Sequence, residues 1–418
     1  EVRQVGFEEA VERALEANPT VAEAVTAVRR SEARLGQARA ATLPTLEASV
    51  SRSKLDEEIA FSELVAQPES QTMVSATAEV PVLAAADWAR VGQGRDQVEV
   101  SRLSLAHVRE QVASATARAY LGIITAKRQV EVEGHAWDNA LAHLDYAETR
   151  FKDGAGSRLD VLRAAQLKSA QQARQESAYL ALRQSQEALG VLLAENGPVD
   201  AAGEPQFEIP GEAEGSADLG SRPDFRLGVA SLEAAERAVH DSWKDWVPEG
   251  TLAFTPQWFS PAGLFQQASS WRLSLSFTLP IYDGGQRRAD AALRAVERDQ
   301  AKSRLAAVEI EARSEVRIAR EALASYDRAL ASTRQAAEQA EEVLKITTSA
   351  FELGAATSLE VIDAERSSRD AATAVAQAED SVRRARFDLL VALGRFPKPA
   401  TEPERTRTEE LLSANRTP

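Results

Sequence analysis

Two carboxylates, Glu360 and Asp363, lie three residues apart at the start of a run of apolar residues with helical spacing. In a helix this separation places both side chains on one face. A carboxylate pair can act as general acid and base, but no third group orients these two. Acidic side chains at a helix N-terminus also stabilise the helix dipole without any further role. From the spacing alone we expect a negatively charged helix start, and not a catalytic pair.

Residues that build metal, cofactor or covalent catalytic sites are absent from the chain or scattered along it. The four histidines form no pair at helical metal-ligand spacing, and we expect them at the surface. They are His107, His135, His143 and His240. There is no cysteine, which excludes disulfides, thiolate metal sites and cysteine nucleophiles. No phosphate-binding glycine loop and no nucleophile elbow occur. We predict no cofactor, no metal and no enzymatic activity.

The element that positions Glu360 is a long helix followed by a turn. Residues 286–351 contain no proline or glycine, so the backbone allows one helix of roughly 100 Å. Its apolar and small residues recur at coiled-coil spacing, which indicates packing against other helices. This seam consists of Val316, Leu323, Leu330, Ala337, Leu344 and Phe351, interleaved with Ala312, Ala319, Tyr326, Thr333, Ala340 and Thr347. Gly354 predicts the helix end, and Thr357 with Ser358 predicts the capped start of a returning helix.

The same pattern occurs 200 residues earlier, where Phe151, Gly154 and Ser157 precede Leu159 and Asp160. The chain is therefore a tandem repeat of one unit. We predict a first repeat at 1–194, with a helix, a β-hairpin at about 45–82, a long helix to 151 and a return helix at 157–194. The second repeat, at 223–396, has a helix, a hairpin at about 250–281, a long helix at 286–351 and a return helix at 357–395. We expect an irregular insertion at 195–222 and an irregular tail at 397–418.

Residues 271–279 alternate apolar and polar side chains, which is a strong strand pattern. Similar alternation occurs at 46–51, 74–80 and 251–255, and the polar stretch 53–72 is expected to be a loop. One interpretation is an amphipathic strand of a soluble sandwich, but two hairpins so far apart cannot build a sandwich core. The alternation and the nearby tryptophans are typical of a transmembrane β-barrel, which must close. Four strands per chain then predict a trimer with twelve strands.

Composition limits the partners. The formal net charge is −15, so nucleic acid is not an expected partner, because phosphate contacts need a basic face. No run of about 18 apolar residues predicts a transmembrane helix. The numbering opens at Glu1 with no leader and no N-terminal cysteine for lipidation, which is compatible with a cleaved signal peptide and equally with a cytosolic protein.

Three groups of residues together resemble the TolC-type outer membrane factors. They are the end of the first helix at Leu43-Pro44-Thr45-Leu46, the passage Thr278-Leu279-Pro280-Ile281-Tyr282-Asp283-Gly284-Gly285, and two turns with Phe-x-x-Gly-x-x-Ser/Thr-x-x-Asp/Glu-Val. The resemblance covers about residues 5–396. It implies a mostly α-helical homotrimer with a small β part: two tandem repeats of long coiled-coil helices plus β-hairpins, forming a twelve-stranded transmembrane β-barrel and a long periplasmic α-helical barrel.

The resemblance also assigns roles to both turns. It implies a periplasmic gate of Glu360, Asp363 and Asp160, where three copies would form acidic rings that favour cations. It implies that a periplasmic adaptor protein docks on both turns. The docking residues would be Gly154, Ser157, Leu159, Gly354, Thr357, Ser358 and Leu359. The arginine and tyrosine that lock the entrance in the family correspond to Ala356 and Phe351, so the lock is weaker here or built differently.

The implied function is an outer-membrane exit duct that extends into the periplasm. It would be the passive channel of a tripartite efflux pump or type I secretion system, fed through the adaptor by an inner-membrane pump. The alternative is a non-transporting coiled-coil periplasmic scaffold or adaptor, which explains the helices but not the strand at 271–279. The substrate, whether drugs, metals or proteins, stays open because the partners select it.

Overall fold

The computed structural model describes residues 2–61, 64–207, 209, 219–264 and 266–396. The predicted tail at 397–418 lies outside the described residues. The α-helices are α1 (Phe7–Ala17), α2 (Pro19–Ala40), α3 (Ala85–Lys152), α4 (Arg158–Leu192), α5 (Pro223–His240), α6 (Gln286–Glu352) and α7 (Ser358–Ala392). The strands are β1 (Arg3–Val5), β2 (Thr45–Lys54), β3 (Ile59–Phe61), β4 (Leu64–Gln67), β5 (Ser70–Leu83), β6 (Val199–Ala201), β7 (Glu249–Ser260) and β8 (Ser269–Thr278). Short 3₁₀ helices occupy Leu219–Ser221 and Asp241–Trp246.

The four longest helices form two consecutive pairs with matching ends. Helix α3 ends at Lys152 and α6 ends at Glu352, while α4 begins at Arg158 and α7 begins at Ser358. These are the same positions shifted by the 200 residues of the sequence repeat. The division into domains at 194, 222 and 396 stays a prediction, because matching helix ends do not show where one domain gives way to the next.

The described chain divides into two compact units. The first contains the described residues of Glu1–Ala24, Leu105–Arg226 and Val308–Pro418, and so includes the ends of the four long helices and both turns between them. The second contains Val25–Ser104 and the described residues of Leu227–Ala307, including β2, β5, β7 and β8.

The core of the first unit forms where α1, α3 and α4 meet. Tyr120, Ile123 and Leu189 are fully buried there, and burial of this much apolar side chain is the main stabilising term. The Tyr120 hydroxyl donates to the carbonyl of Gly203 at 2.8 Å, so the buried ring brings its polar group to a partner. A second cluster joins α3 to α7 through Leu121 and Phe387.

Part of the insertion predicted to be irregular is ordered. Strand β6 pairs in parallel with β1, with Arg3 opposite Val199 and Val5 opposite Ala201. Asp200 accepts a hydrogen bond from Lys127 at 2.7 Å, which ties the strand to α3. The sequence did not reveal these strands because three residues are too few for a visible alternation.

In the second unit, the two predicted hairpins form one antiparallel sheet in the order β2-β5-β7-β8. Strand β5 pairs with β2 and also with β7, so the hairpins join through their inner strands. The outer strands β2 and β8 each have one partner among the described residues. The loop expected at 53–72 is shorter than predicted, because β2 and β5 extend into it and β3 pairs with β4.

The register of the sheet separates apolar from polar side chains. One cross-strand row places Leu46 opposite Ala78, Ala78 opposite Phe254, and Phe254 opposite Leu273. A row of the other set consists of Ser49, Ser75, Gln257 and Ser270. Alternate residues of a strand lie on opposite faces, so the sheet has one apolar and one polar face. Leu273 is 58% exposed, so none of the described residues covers the apolar face at this row.

The passage from β8 into α6 contains the expected turn residues. Gly284 and Gly285 have φ values of 72° and 93°, which side chains with a Cβ rarely adopt. Asp283 accepts a hydrogen bond from the Arg287 backbone N–H at 3.1 Å and one from its side chain at 2.6 Å. These bonds satisfy donors at the start of the helix.

The predicted coiled-coil seam of α6 is buried along only part of its length. Val316 and Ala319 are buried against α7 and Ala312 is also buried, whereas Tyr326 is exposed. The seam, predicted to pack against other helices along its length, is fully buried among the described residues only at Ala312, Val316, Ala319 and Phe351. The spacing identifies a face but not the helix that covers it. Within the described part of the chain, no helix has an apolar segment of the length and composition needed to traverse a bilayer.

Candidate functional site at the two helical turns

The two turns, residues 153–157 and 353–357, share one backbone conformation. Gly154 and Gly354 both have φ of 76°, as expected for a residue that ends a helix in the left-handed region. In the first turn Ala155 N donates to the carbonyl of Arg150 at 2.8 Å. In the second, Ala355 N donates to the carbonyl of Ala350 at 2.7 Å. These bonds pair carbonyl groups that the helix end leaves free.

Each return helix begins with a side-chain cap. Ser157 Oγ accepts from the backbone N–H of Asp160 at 3.2 Å and donates to its carboxylate at 2.6 Å. Thr357 and Glu360 form a reciprocal capping box. The predicted glycine stops and hydroxyl caps are thus present at both turns, with Thr357 rather than Ser358 as the second cap.

The three predicted gate carboxylates differ in their surroundings. Glu360 accepts from the Thr357 backbone N–H at 2.6 Å and from its hydroxyl at 2.9 Å, and these bonds lower the pKa of the carboxyl. Asp160 is bound to Ser157 in the other cap. Asp363 is exposed, and no hydrogen bond or ion pair joins its carboxylate to another described residue. Of the three, Asp363 is the carboxylate left available to an ion.

The residues predicted to dock an adaptor are mostly exposed. Gly154, Leu159, Gly354 and Leu359 all lie at the surface of the chain. Ser358 does not: it is only 3% exposed, and its hydroxyl lies 3.3 Å from His143 Nε2. The remaining predicted docking residues, Ser157 and Thr357, are both exposed, and both hydroxyls serve as caps.

A buried polar group that the sequence did not reveal lies beside the second turn. His143, expected at the surface, is buried between α3 and α7, which corrects that prediction. Its Nδ1 lies 3.9 Å from Glu365 Oε1. Burial lowers the pKa of His143, although Asp160 acts in the opposite direction. Burial raises the pKa of Glu365 to about 7.

Glu365 also lines a cavity of about 130 Å³ bounded by residues of α3, α4, α6 and α7. Its Oε2 is buried and has no hydrogen-bond partner among the described residues. Arg366 and Arg369 of α7 and His135 of α3 line the same cavity. Arg369 donates to Gln171 at 3.3 Å. No group of three or more histidine, aspartate or glutamate side chains suited to a metal occurs in the part of the chain that is described.

Phe351, the counterpart of the family's lock tyrosine, is buried against side chains of α3. Its ring stacks on His143 with centroids 5.5 Å apart and meets the edge of Tyr146 at 5.4 Å. The Arg150 guanidinium lies 5.5 Å from the same ring centre. Ala356, the counterpart of the family's arginine, is half-buried. The first helix pair therefore supplies the groups that surround Phe351.

Comparison with known proteins identifies the family. The sequence model described as outer membrane efflux protein matches residues 10–195 and 216–395, which is most of the chain. The chain belongs to the outer membrane efflux protein family. This confirms the resemblance to TolC-type outer membrane factors and the mostly helical fold. It also confirms the function class predicted from the sequence, the outer-membrane exit duct.

Individual relatives agree with this assignment. The chain is 26% identical over 389 residues to the pyoverdine export outer membrane protein OpmQ of Pseudomonas putida, covering 90% of this chain and 82% of that protein. Its fold is similar to that of the outer membrane protein VceC of Vibrio cholerae, with a TM-score of 0.80, 20% identity, and coverage of 93% of this chain and 96% of that one. The CmeC outer membrane channel of Campylobacter jejuni gives a TM-score of 0.83 at 18% identity, covering 97% and 89%.

Membership of the family bears on the predictions about enzymatic activity, oligomeric state, partners and location. Outer membrane efflux proteins are channel proteins rather than enzymes. They are trimeric channels that work with periplasmic adaptors and inner-membrane pumps. The matched relatives are outer membrane proteins. The gate and docking roles of individual residues, and the particular partners of this chain, are not assigned by these similarities and are proposed below.

Proposed function

We propose that three copies of this outer membrane efflux protein close their sheets into one twelve-stranded barrel in the outer membrane. The apolar face of the four-stranded sheet carries this proposal. It is exposed in the single chain, and its outer strands each lack a second partner among the described residues. In this arrangement lipid covers the apolar face, and a neighbouring copy of the chain pairs with each outer strand.

The duct extends from this barrel into the periplasm through the long helices and ends at the two turns. It receives substrate from an inner-membrane pump by way of an adaptor, and the chain itself supplies no energy. The alternative of a non-transporting periplasmic scaffold leaves the apolar face in water. An apolar surface of this kind on a monomer would promote aggregation.

Membrane extraction and bilayer recording test this function. Protein from an outer-membrane fraction, purified in detergent, should have the mass of a trimer and should form ion-conducting channels in planar bilayers. A monomer that stays soluble in buffer without detergent would overturn the proposal and favour the scaffold.

Within this duct, Asp363 is the main gate carboxylate. Three copies of an exposed, unpaired carboxylate around one axis favour cations at the constriction, and Glu360 and Asp160 contribute less because both are engaged in caps. The preference for cations over anions in planar bilayers should fall for Asp363→Asn. Unchanged ion preference would remove Asp363 from the gate.

The turns dock the adaptor through small residues flanked by exposed leucines. A Cβ added at Gly154 or Gly354 would meet no atom within 4 Å, so a larger side chain there would point away from the chain, although the φ of 76° adds backbone strain to the turn. Gly154→Trp and Gly354→Trp should therefore block close approach of an adaptor and abolish efflux in cells. Trimers should persist in the membrane, whereas their loss would indicate that the glycines matter only for folding.

A further inference from the structure

The apolar face of the four-stranded sheet changes its chemistry at one end. Its cross-strand rows carry apolar or small side chains up to the row that contains Val50, Val74 and Trp258. Beyond that row the same face carries two cations and three hydroxyl groups. We call these side chains the outer patch: Arg52, Lys54, Ser70, Thr72 and Ser260.

The outer patch lies at the end of the sheet that is remote from the helices. Strand β2 begins at Thr45 after α2, and β8 ends at Thr278 ahead of α6. Lys54 is the last residue of β2, so it lies at the opposite end from both connections. Because the proposed function places the long helices in the periplasm, the outer patch faces the outside of the cell.

The height of the apolar rows places the outer patch at the level of lipid headgroups. The rows run from Gly250 to Trp258 of β7, so at about 3.4 Å per residue they cover about 27 Å along the strand. A strand tilt of about 40° reduces this to a depth of about 20 Å, close to the apolar band of about 25 Å on membrane barrels. Trp258 and Trp271 are exposed in the last two rows, as expected for residues at a membrane interface.

The charges of the outer patch are available to a ligand. In the paired part of the four strands, Arg52 and Lys54 are the only charged residues on this face. Arg52 is exposed, donates to Ser70 Oγ at 3.5 Å, and forms no ion pair with a described carboxylate. Lys54 lies 3.2 Å from Glu69, but both side chains are exposed, and such a pair is weak in water.

The groups of the outer patch match a phosphorylated sugar that carries acyl chains. Guanidinium and ammonium groups donate strong hydrogen bonds to phosphate oxygens. Serine and threonine hydroxyls donate and accept, as sugar hydroxyls also do. Acyl chains would continue over the adjacent apolar rows and remove them from water. The outward leaflet of a bacterial outer membrane consists of phosphorylated glycolipid, which has these three parts in this order.

We propose that the outer patch binds the phosphorylated sugar headgroup of the outer-leaflet glycolipid, with one site on each copy of the chain. This inference rests on the proposed function, because it requires the apolar face to lie in lipid. Strand β2 is an outer strand of the sheet, so in the twelve-stranded barrel each site lies beside β8 of a neighbouring copy. The bound glycolipid therefore contacts two copies and stabilises the trimer against dissociation.

The first test uses the wild-type trimer in detergent and native mass spectrometry. The probes are lipid A, a glucosamine disaccharide with two phosphates, and the same lipid after removal of both phosphates. A chelator prevents divalent cations from bridging phosphate to Asp56, Glu57 and Glu58, which follow Lys54 in the chain. The phosphorylated probe should bind about 25-fold more tightly, at about fivefold for each basic residue beside an anionic lipid. It alone should raise the temperature at which the trimer dissociates. Equal affinity for both probes would overturn the site.

The second test compares Arg52→Gln with Arg272→Gln. Arg272 lies opposite Thr255 on the polar face of the same sheet, so the two variants lose the same charge from opposite faces. Affinity for the phosphorylated probe should fall about fivefold in Arg52→Gln and about 25-fold in Arg52→Gln/Lys54→Gln. Arg272→Gln should bind as the wild type does. Equal losses in Arg52→Gln and Arg272→Gln would contradict a site on the lipid face.

A third probe and the channel itself separate the remaining outcomes. Phosphatidylglycerol carries a phosphate without the sugar, and if it bound as tightly as lipid A, the assignment to a glycolipid would be wrong. Wild-type protein that is monomeric and forms no channels contradicts the proposed function. A conducting trimer that does not prefer the phosphorylated probe leaves the duct intact and removes only the lipid site.

Discussion

Glu360 accepts two hydrogen bonds from a single residue, Thr357: one from its backbone N–H at 2.6 Å and one from its hydroxyl at 2.9 Å. The carboxylate that the sequence suggests as a gate residue thus completes the cap of α7. Asp363, one turn further along the same helix, is exposed and outside this cap. The two acidic residues on one helix face therefore differ in their surroundings: Glu360 belongs to the cap and Asp363 does not.

We first predict that Glu360→Ala and Asp363→Ala separate helix capping from ion preference. Glu360→Ala should speed amide hydrogen exchange in the first turn of α7, because a backbone donor loses its acceptor. Asp363→Ala should leave that exchange unchanged and reduce the preference for cations in planar bilayers. If Glu360→Ala reduces the ion preference more than Asp363→Ala, the assignment is reversed.

The second prediction concerns pH and Glu365. Its carboxyl has a pKa of about 7 in the folded chain, raised from 4.5 by burial, so ionisation at higher pH is disfavoured in the folded state. The stabilisation conferred by the protonated form is fully present below pH 4.5 and is lost as pH rises to about 7. Full loss amounts to about 3 kcal/mol, at about 1.4 kcal/mol per pKa unit.

Glu365→Gln should therefore protect α7 against local opening at pH 8 but not at pH 4.5. Amide hydrogen exchange of peptides containing residue 365, measured at both values, checks this. Burial lowers the pKa of His143, so its own contribution to the pH dependence falls on the acidic side and does not affect the comparison at pH 8. A difference between the two proteins that does not vary with pH would contradict burial as the cause.

The third prediction compares two faces of strand β8. Leu273 belongs to the apolar row of the sheet and Ser274 to the polar set. Leu273→Lys should destabilise the membrane-inserted trimer by about 2–4 kcal/mol if its side chain lies near the middle of the bilayer. Ser274→Lys should have much less effect. Yields of heat-resistant trimer from the membrane fraction check this, and equal yields would argue against lipid on the apolar face.

The fourth prediction compares two helical glycines, Gly190 in the first unit and Gly36 in the second. A Cβ at Gly190 would overlap the carbonyl oxygen of Gly197, so Gly190→Ala should destabilise the protein by about 1–3 kcal/mol. Gly36 lies in α2, and an added Cβ there meets no atom within 4 Å. Gly36→Ala should therefore stabilise by about 0.5–1 kcal/mol through helix propensity. Unfolding midpoints of the two variants in detergent should fall on opposite sides of the wild type.

Local signals in the sequence were sufficient for the turns and for the strand faces. Gly154 and Gly354 end their helices, and Ser157 and Thr357 cap the next ones, because each of these choices depends on backbone groups within a few residues. The alternation in β8 likewise separates its two faces, as the register confirms.

Features that depend on distant partners could not be predicted in this way. His143 was expected at the surface because nothing near it in sequence indicates that α7 covers it. Phe151 and Phe351 have the same local sequence pattern, but only Phe351 is buried, with its ring stacked on His143. Tyr326 has the spacing of a buried seam residue but is exposed. The spacing identifies one face of the helix and does not show which helix covers it.

The pairing of β5 with β7 has a consequence for how the protein is made. Thr77 and Thr255, whose hydroxyls lie 3.4 Å apart on these two strands, are separated by 178 residues of chain. During synthesis the first hairpin therefore waits, with an apolar surface and an unpaired edge, until the 178 residues that separate Thr77 from Thr255 have followed it. Contacts so remote in sequence form slowly, and the waiting species is prone to aggregate. Biogenesis of this protein should accordingly depend on chaperones that bind extended, apolar segments before the strands pair.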